Sequence, residues 1–256
     1  MRPRFAPAPL ALALALMASP GVQSATRSWA CTVGYWDYED CWSPFGLPAP
    51  TDDAQAAAVN GMDTFLRFDN VTGHRVVSRL TVNTALGGAG VSFEQSGGSL
   101  STRDTTVGGT GKGSFLQTGG LHSVSSSLVV HSPTGEALYR LEGGSLTTRT
   151  SFVGLSGAGR FEQTGGTHNS QEVLLTGDGS RYLMRGGTLQ AAAALSVGSG
   201  ARYYHEAGTV NVPYLAVGRA DGVGDYLMKS AGAASAGVLN ADAVQVGYGG
   251  FMVLEG

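Results

Sequence analysis

Phe115-Leu116-Gln117-Thr118-Gly119-Gly120 returns as Phe161-Glu162-Gln163-Thr164-Gly165-Gly166. Aligning the rest of the chain on the Gly pair brings out one aromatic column: Phe93, Phe115, Tyr139, Phe161, Tyr182, Tyr203 and Tyr226. The steps between them are 22, 24, 22, 21, 21 and 23 residues. A second block follows the Gly pair, as in Thr105-Thr106-Val107-Gly108, Ser151-Phe152-Val153-Gly154 and Leu195-Ser196-Val197-Gly198. It recurs in Leu215-Ala216-Val217-Gly218 and Val244-Gln245-Val246-Gly247, and Leu80-Thr81-Val82 is the same block one turn earlier. Both blocks place apolar residues at every second position, the period of a β-strand. Gly-rich corners such as Gly157-Ala158-Gly159 and Gly177-Asp178-Gly179 separate them. Only the Ala-rich piece Ala54–Val59 has a helix-like run.

Two strands of this length cannot bury a face alone. Stacked turns can, because each strand pairs with its equivalent about 4.8 Å away and like residue falls on like. A propeller blade needs about four strands and ~40 residues per repeat. The period therefore predicts an all-β parallel β-helix (β-solenoid) over residues 71–256, with about seven to eight turns of roughly 22 residues each. Phe or Tyr stacked on Phe or Tyr forms its core ladder, and Gly at the corners supplies positive φ.

Composition narrows the function. Of 256 residues 40 are Gly and only 14% are charged, with a net charge of −3, so a nucleic-acid binder has no basic surplus to build on. Hydrophobic content of 42% is ample for a core and argues against charge-driven disorder. At the N-terminus Arg2 and Arg4 precede an apolar run, Leu10 to Ala18, and Val22-Gln23-Ser24 puts small residues before Ala25. That pattern predicts a secretory signal over residues 1–24. Its removal takes two Arg and no acid, so the net charge moves from −3 to −5. No later segment reaches the roughly 20 apolar residues of a membrane span, so the mature segment is expected to be exported without inserting in the membrane itself. Residues 25–70 read as an N-terminal cap, locked by a disulfide between the only two cysteines, Cys31 and Cys41, around Trp36.

The stretch Gly34-Tyr35-Trp36, Cys41-Trp42-Ser43, Gly46, Pro48 and Asp52-Asp53-Ala54 resembles the opening motif of bacterial surface proteins. Their repeat is shared by autotransporter (type V secretion) passengers and PEP-CTERM proteins. The units Tyr182-Leu183-Met184-Arg185-Gly186-Gly187-Thr188-Leu189 and Leu195-Ser196-Val197-Gly198 are similar to that repeat. The resemblance implies a right-handed β-helical segment, secreted or exposed at the cell surface and associated with the outer membrane through a C-terminal anchor; it transfers no catalytic residues. Met252-Val253-Leu254-Glu255-Gly256 matches Tyr139-Arg140-Leu141-Glu142-Gly143, the first half of a turn, and neither a barrel nor a sorting tail follows. The expectation is a chain truncated mid-repeat.

The register says which side chains lie over one another. Gln95, Gln117 and Gln163 share the position two before the Gly pair and predict an amide ladder; His205 at that position reads as a satisfied core histidine. His122 and His168 share another register two turns apart, near 10 Å, so one zinc cannot take both, and neither a metal nor a cofactor is expected. On the outer face Arg160, Arg181, Arg202 and Asp225 occupy one column, and Arg185, Glu206 and Lys229 another, with Tyr204 between them. Two readings follow. Arg160, Arg181, Arg185 and Arg202 with Tyr204 form a glycan-binding face, with guanidinium forks for carboxylates and a ring as sugar platform. Alternatively the face is solvated and laced with cross-turn ion pairs. Glu94 and Glu162 lie three turns apart, about 14 Å, too far for a catalytic carboxylate pair, and Arg140 reads as the partner of Glu162. No catalytic residue is expected. The sequence thus predicts an adhesive, passenger-like surface stalk that meets surface glycans or a host or neighbouring cell, with a carbohydrate-active β-helix enzyme (lyase or hydrolase) as the alternative.

Overall fold

The computed structural model describes residues 24–84, 88–134, 137–218, 222–229 and 236–255. The secretory-signal reading lies, except for Ser24, outside the described residues. Parallel pairing of equivalent segments winds the chain into a β-solenoid of about nine turns with about 23 residues each.

Each turn contributes one strand to each of two ladders, and from His74 onward the strand of the second ladder is the longer and is bent. The short ladder runs through β2 (Val33–Tyr35), β5 (Thr64–Phe68), β7 (Val91–Gln95), β9 (Gly113–Gln117), β11 (Ala137–Leu141) and β13 (Arg160–Gln163). It continues through the first parts of β15 (Arg181–Val197) and β16 (Ala201–Val217), then β17 (Gly224–Lys229) and β19 (Gly250–Glu255). The long ladder starts at β1 (Thr26–Trp29), β4 (Asp53–Ala56), β6 (His74–Val82) and β8 (Ser99–Gly108). It then takes β10 (Leu121–His131), β12 (Ser145–Val153), β14 (Thr167–Leu175), the later parts of β15 and β16, and β18 (Val238–Val246). In β8 the inward side chains are Leu100 and Thr102, then Thr105 and Val107, so the inward phase slips by one residue and the strand bends around the core.

All seven rings of the aromatic column are fully buried and stacked turn on turn. Successive centroids lie 4.5–5.1 Å apart. That spacing follows from parallel pairing: identical register stacks ring on ring, and each contact adds roughly 0.5–1.5 kcal/mol beyond burial. The second Gly of each pair, such as Gly120 and Gly144 with φ near +72° and +74°, turns the corner in a left-handed conformation. A Cβ there would also strike the backbone of the turn below, so Gly serves both needs.

Three expectations change. The coil has about nine turns because parallel pairing starts before residue 71: β1 pairs with β4 and β2 with β5 inside the expected cap. Those turns escape notice in the sequence because Gly34 and Leu66 hold the place of the aromatic column. Within Ala54–Val59, Ala54 and Ala56 belong to β4, where their alternate burial replaces a helical pattern. The glutamines do not form an amide ladder. Leu141 separates Gln117 from Gln163, and even the adjacent Gln95 and Gln117 do not bond each other, because each amide Nε2 donates to backbone carbonyls: Gly97 and Leu121 for Gln95, Gly120 and Ser145 for Gln117, Gly166 and Thr188 for Gln163.

At the N-terminal end β3 (Trp42–Ser43) pairs antiparallel with β1. Cys31 and Cys41 are joined by a disulfide. Trp36 packs against Trp42, Phe68 and Phe93 with centroids 4.8, 5.7 and 6.0 Å away, and Trp42 Nε1 donates to the Trp36 carbonyl.

Candidate functional site

The outer face is built by strand alternation on the short ladder. Phe161, Tyr182 and Tyr203 point into the core, so their neighbours Arg160, Arg181 and Arg202 point out, and the register stacks these three arginines on consecutive turns with Asp225 next. Arg160, Arg181, Arg185 and Tyr204, together with Leu183 and Glu206, line one open cleft of about 260 Å³. Arg202 is not part of it. Its Nε lies 3.1 Å from the Asp225 carboxylate, and it lines the adjacent hollow with Asp178 and Ser199. Hydrogen bonding to the Tyr204 oxygen, followed by Asp225, pushes the Arg202 pKa up.

Most charges on this face are already paired across turns. Arg185 Nε reaches Glu206 at 2.7 Å, and that hydrogen bond raises the Arg185 pKa. Arg140 grips Glu162 with Nε and Nη2, both at 2.7 Å, while Arg160 pairs with the same carboxylate from the other side. Covered by two guanidinium groups, Glu162 is only 3% exposed although it lies on the outward side of its strand. Arg181 is different: among the described residues it has no carboxylate partner, and it sits between the arginines above and below it. Arg160 and Arg202 are each neutralised by a carboxylate, so the uncompensated positive charge of the column rests on Arg181, where an anion in the cleft would find it. Tyr204 is half-buried at the rim.

Behind this face lies a buried polar system whose connectivity the sequence reading missed. Turns alternate in kind: Phe115, Gln117 and His122 in one, Tyr139, Leu141 and Leu146 in the next, then Phe161, Gln163 and His168, then Tyr182, Met184 and Leu189. The Tyr139 hydroxyl donates to Gln117 Oε1 and lies 3.0 Å from His122 Nδ1; Tyr182 does the same with Gln163 and, at 3.1 Å, His168. The signal was present in the sequence as the 46-residue interval between Phe115 and Phe161, which spans two turns rather than one. Burial pushes both imidazoles down to about 3. His205 is fully buried between the Tyr226 hydroxyl and the Gly208 carbonyl.

Among the described residues no group of three or more His, Cys, Asp or Glu is placed to hold a metal ion. No helix among them is long and apolar enough to cross a membrane. No protein family, no curated protein and no solved structure matches the chain.

Proposed function

We propose that this chain is an exported, surface-displayed β-solenoid stalk whose arginine cleft binds anionic polysaccharide. The observation that carries the reading is Arg181, a guanidinium with no carboxylate partner among the described residues, flanked in one cleft by Arg160, Arg185 and the Tyr204 ring. A planar fork suits a sugar carboxylate, and the phenol ring offers a platform to the pyranose face. The stacked core supports the mechanical half of the proposal: a solenoid transmits load along its turns and sets reach by turn number. Export is supported by the signal-like sequence of residues 1–24 and by the Cys31–Cys41 disulfide, a bond that persists in oxidising compartments. Display in the manner of an autotransporter or PEP-CTERM passenger belongs to the same proposal and rests on the resemblance of the repeat units.

The test is a titration of the purified chain with polygalacturonate at low and high salt. Binding is expected, weakening as salt screens the cleft. Arg160→Ala combined with Arg181→Ala is expected to weaken it about tenfold or more, in line with loss of charge-assisted hydrogen bonds. Unchanged binding in that variant overturns the proposal. Release of reducing or unsaturated ends during the titration would move the chain to the carbohydrate-active enzymes instead.

A further inference from the structure

The two buried histidines of the central turns occupy equivalent places, yet their hydrogen-bond chains carry different numbers of protons. Around His122 the chain runs from Gln117 Oε1 to the Tyr139 hydroxyl (2.7 Å) and to His122 Nδ1 (3.0 Å), then from Nε2 to Thr105 Oγ1 (3.2 Å) and Thr102 Oγ1 (2.9 Å). Those four contacts are served by four protons, one each from Tyr139, neutral His122, Thr105 and Thr102. The order is fixed from one end. Gln117 Nε2 donates to two carbonyls, so its Oε1 must accept from Tyr139. The phenol proton is then used, so His122 donates from Nδ1 and accepts at Nε2.

Around His168 the same start, Gln163 Oε1 to Tyr182 (2.7 Å) to His168 Nδ1 (3.1 Å), leads from Nε2 to Ser151 Oγ (3.0 Å) and Thr148 Oγ1 (2.8 Å). There it does not stop. Thr148 lies 2.8 Å from Ser170 Oγ, and Ser170 Oγ lies 2.6 Å from the Glu172 carbonyl, with the Arg149 carbonyl farther off at 3.5 Å. Gln163 Nε2, like that of Gln117, is held by two carbonyls. This chain therefore ends on acceptors at both sides: its six contacts of 3.1 Å or less share the five protons of Tyr182, neutral His168, Ser151, Thr148 and Ser170. An imidazolium supplies the sixth. The extra link comes from one residue, since Ser170 stands where the His122 chain meets Val124.

We propose that His168 is a proton-binding site buried in the core, taking up its second proton at a higher pH than His122 does. The groups facing it leave the chain in control. β12 presents Ser151 and Leu146, β13 the Phe161 ring at 5.0 Å, and β15 Tyr182 and Leu189. Tyr182 is kept a neutral phenol by burial. Glu172 contributes its carbonyl, and the Glu162 carboxylate is held on the outer face by Arg140 and Arg160. Desolvation acts alike on both imidazoles, so it does not distinguish them. A hydrogen bond that only the cation can complete favours the cation at His168 alone.

Side-chain ¹⁵N shifts of the full chain, followed from pH 7 downward, test this. His122 is expected to hold one proton, on Nδ1, to the lower pH; His168 is expected to become doubly protonated at least one pH unit earlier. Ser170→Ala leaves four contacts for four protons and is expected to bring His168 to the behaviour of His122. Alanine is tolerated in this column, because Ala191 fills it one turn on. The proposal is overturned if the two midpoints coincide or reverse, if Ser170→Ala leaves His168 unmoved, or if both rings keep a single proton until the chain unfolds.

Discussion

The central turns, residues 113–197, and the opening turns, residues 26–82, wind the same backbone coil around different fillings. In the centre, Phe–Gln–His turns alternate with Tyr–Leu–Leu or Tyr–Met–Leu turns; rings stack at every step, and amide, hydroxyl and imidazole interlock at every second one. In the opening turns the aromatic column begins with Gly34 and Leu66, and three tryptophans and a disulfide close the space. The coil survives this change of filling. Backbone pairing between equivalent strands therefore sets the architecture, while the stacked column sets its regularity and its resistance to unfolding.

Breaking the stack has the largest expected effect. Phe161→Ala removes a fully buried ring that touches Tyr139 at 5.1 Å and Tyr182 at 4.5 Å, and it should cost about 3–5 kcal/mol in chemical denaturation. A loss below about 1 kcal/mol would show that the backbone ladder alone carries the centre. Replacing Cys31 and Cys41 by Ser is expected to cost roughly 2–3 kcal/mol by freeing the unfolded chain. Hydrogen exchange should place that loss in residues 26–68, with protection retained in residues 113–197. Equal loosening of both regions would show that the two fillings act as one cooperative unit.

Acid distinguishes the regions next. The unfolded chain titrates His122 near 6.5, whereas burial holds it near 3 in the fold, so the unfolded state binds more protons between those values. Its contribution is complete above pH 6.5 and is lost as pH falls toward 3, at about 1.4 kcal/mol per pH unit. At pH 5 the loss should be about 2 kcal/mol. His122→Leu, which repeats the Leu100 and Leu146 of adjacent turns, should flatten that slope in urea titrations. An unaltered slope would assign acid sensitivity to other groups.

The smallest effect sharpens the comparison at the border between the regions. Gln95 Oε1 is buried with no hydrogen-bond partner among the described residues, because Phe115 stands where Gln117 and Gln163 meet Tyr139 and Tyr182. Phe115→Tyr supplies the missing hydroxyl and should raise stability by about 1 kcal/mol in thermal unfolding. Destabilisation would mean that the opening turns cannot admit the hydroxyl near Leu100.

Much of this was legible in the linear chain because a solenoid repeats its own sequence. The Phe/Tyr spacing, the Gly pair and the Val-Gly blocks predicted parallel turns, and the outward column of Arg160, Arg181 and Arg202 followed from alternation alone. The pairing of Arg140 with Glu162 was visible for the same reason. The first two turns were not legible, since their columns carry Gly and Leu where the marker should be. The cleft was legible only in part: register places Arg202 beside Arg181, but its guanidinium turns to Asp225 and leaves the cleft to the other three arginines.

Period and polarity by themselves determined that the chain coils, which residues face inward and which charges share a column, because those are consequences of strand alternation and stacking. Only the folded coil decided which neighbours each inward polar group meets. Gln117 reaches carbonyls and a phenol rather than another amide, and Ser170 extends one histidine's chain where Val124 ends the other's. Hydrogen bonds depend on distances of tenths of an ångström between turns, and a spacing counted in residues does not contain them.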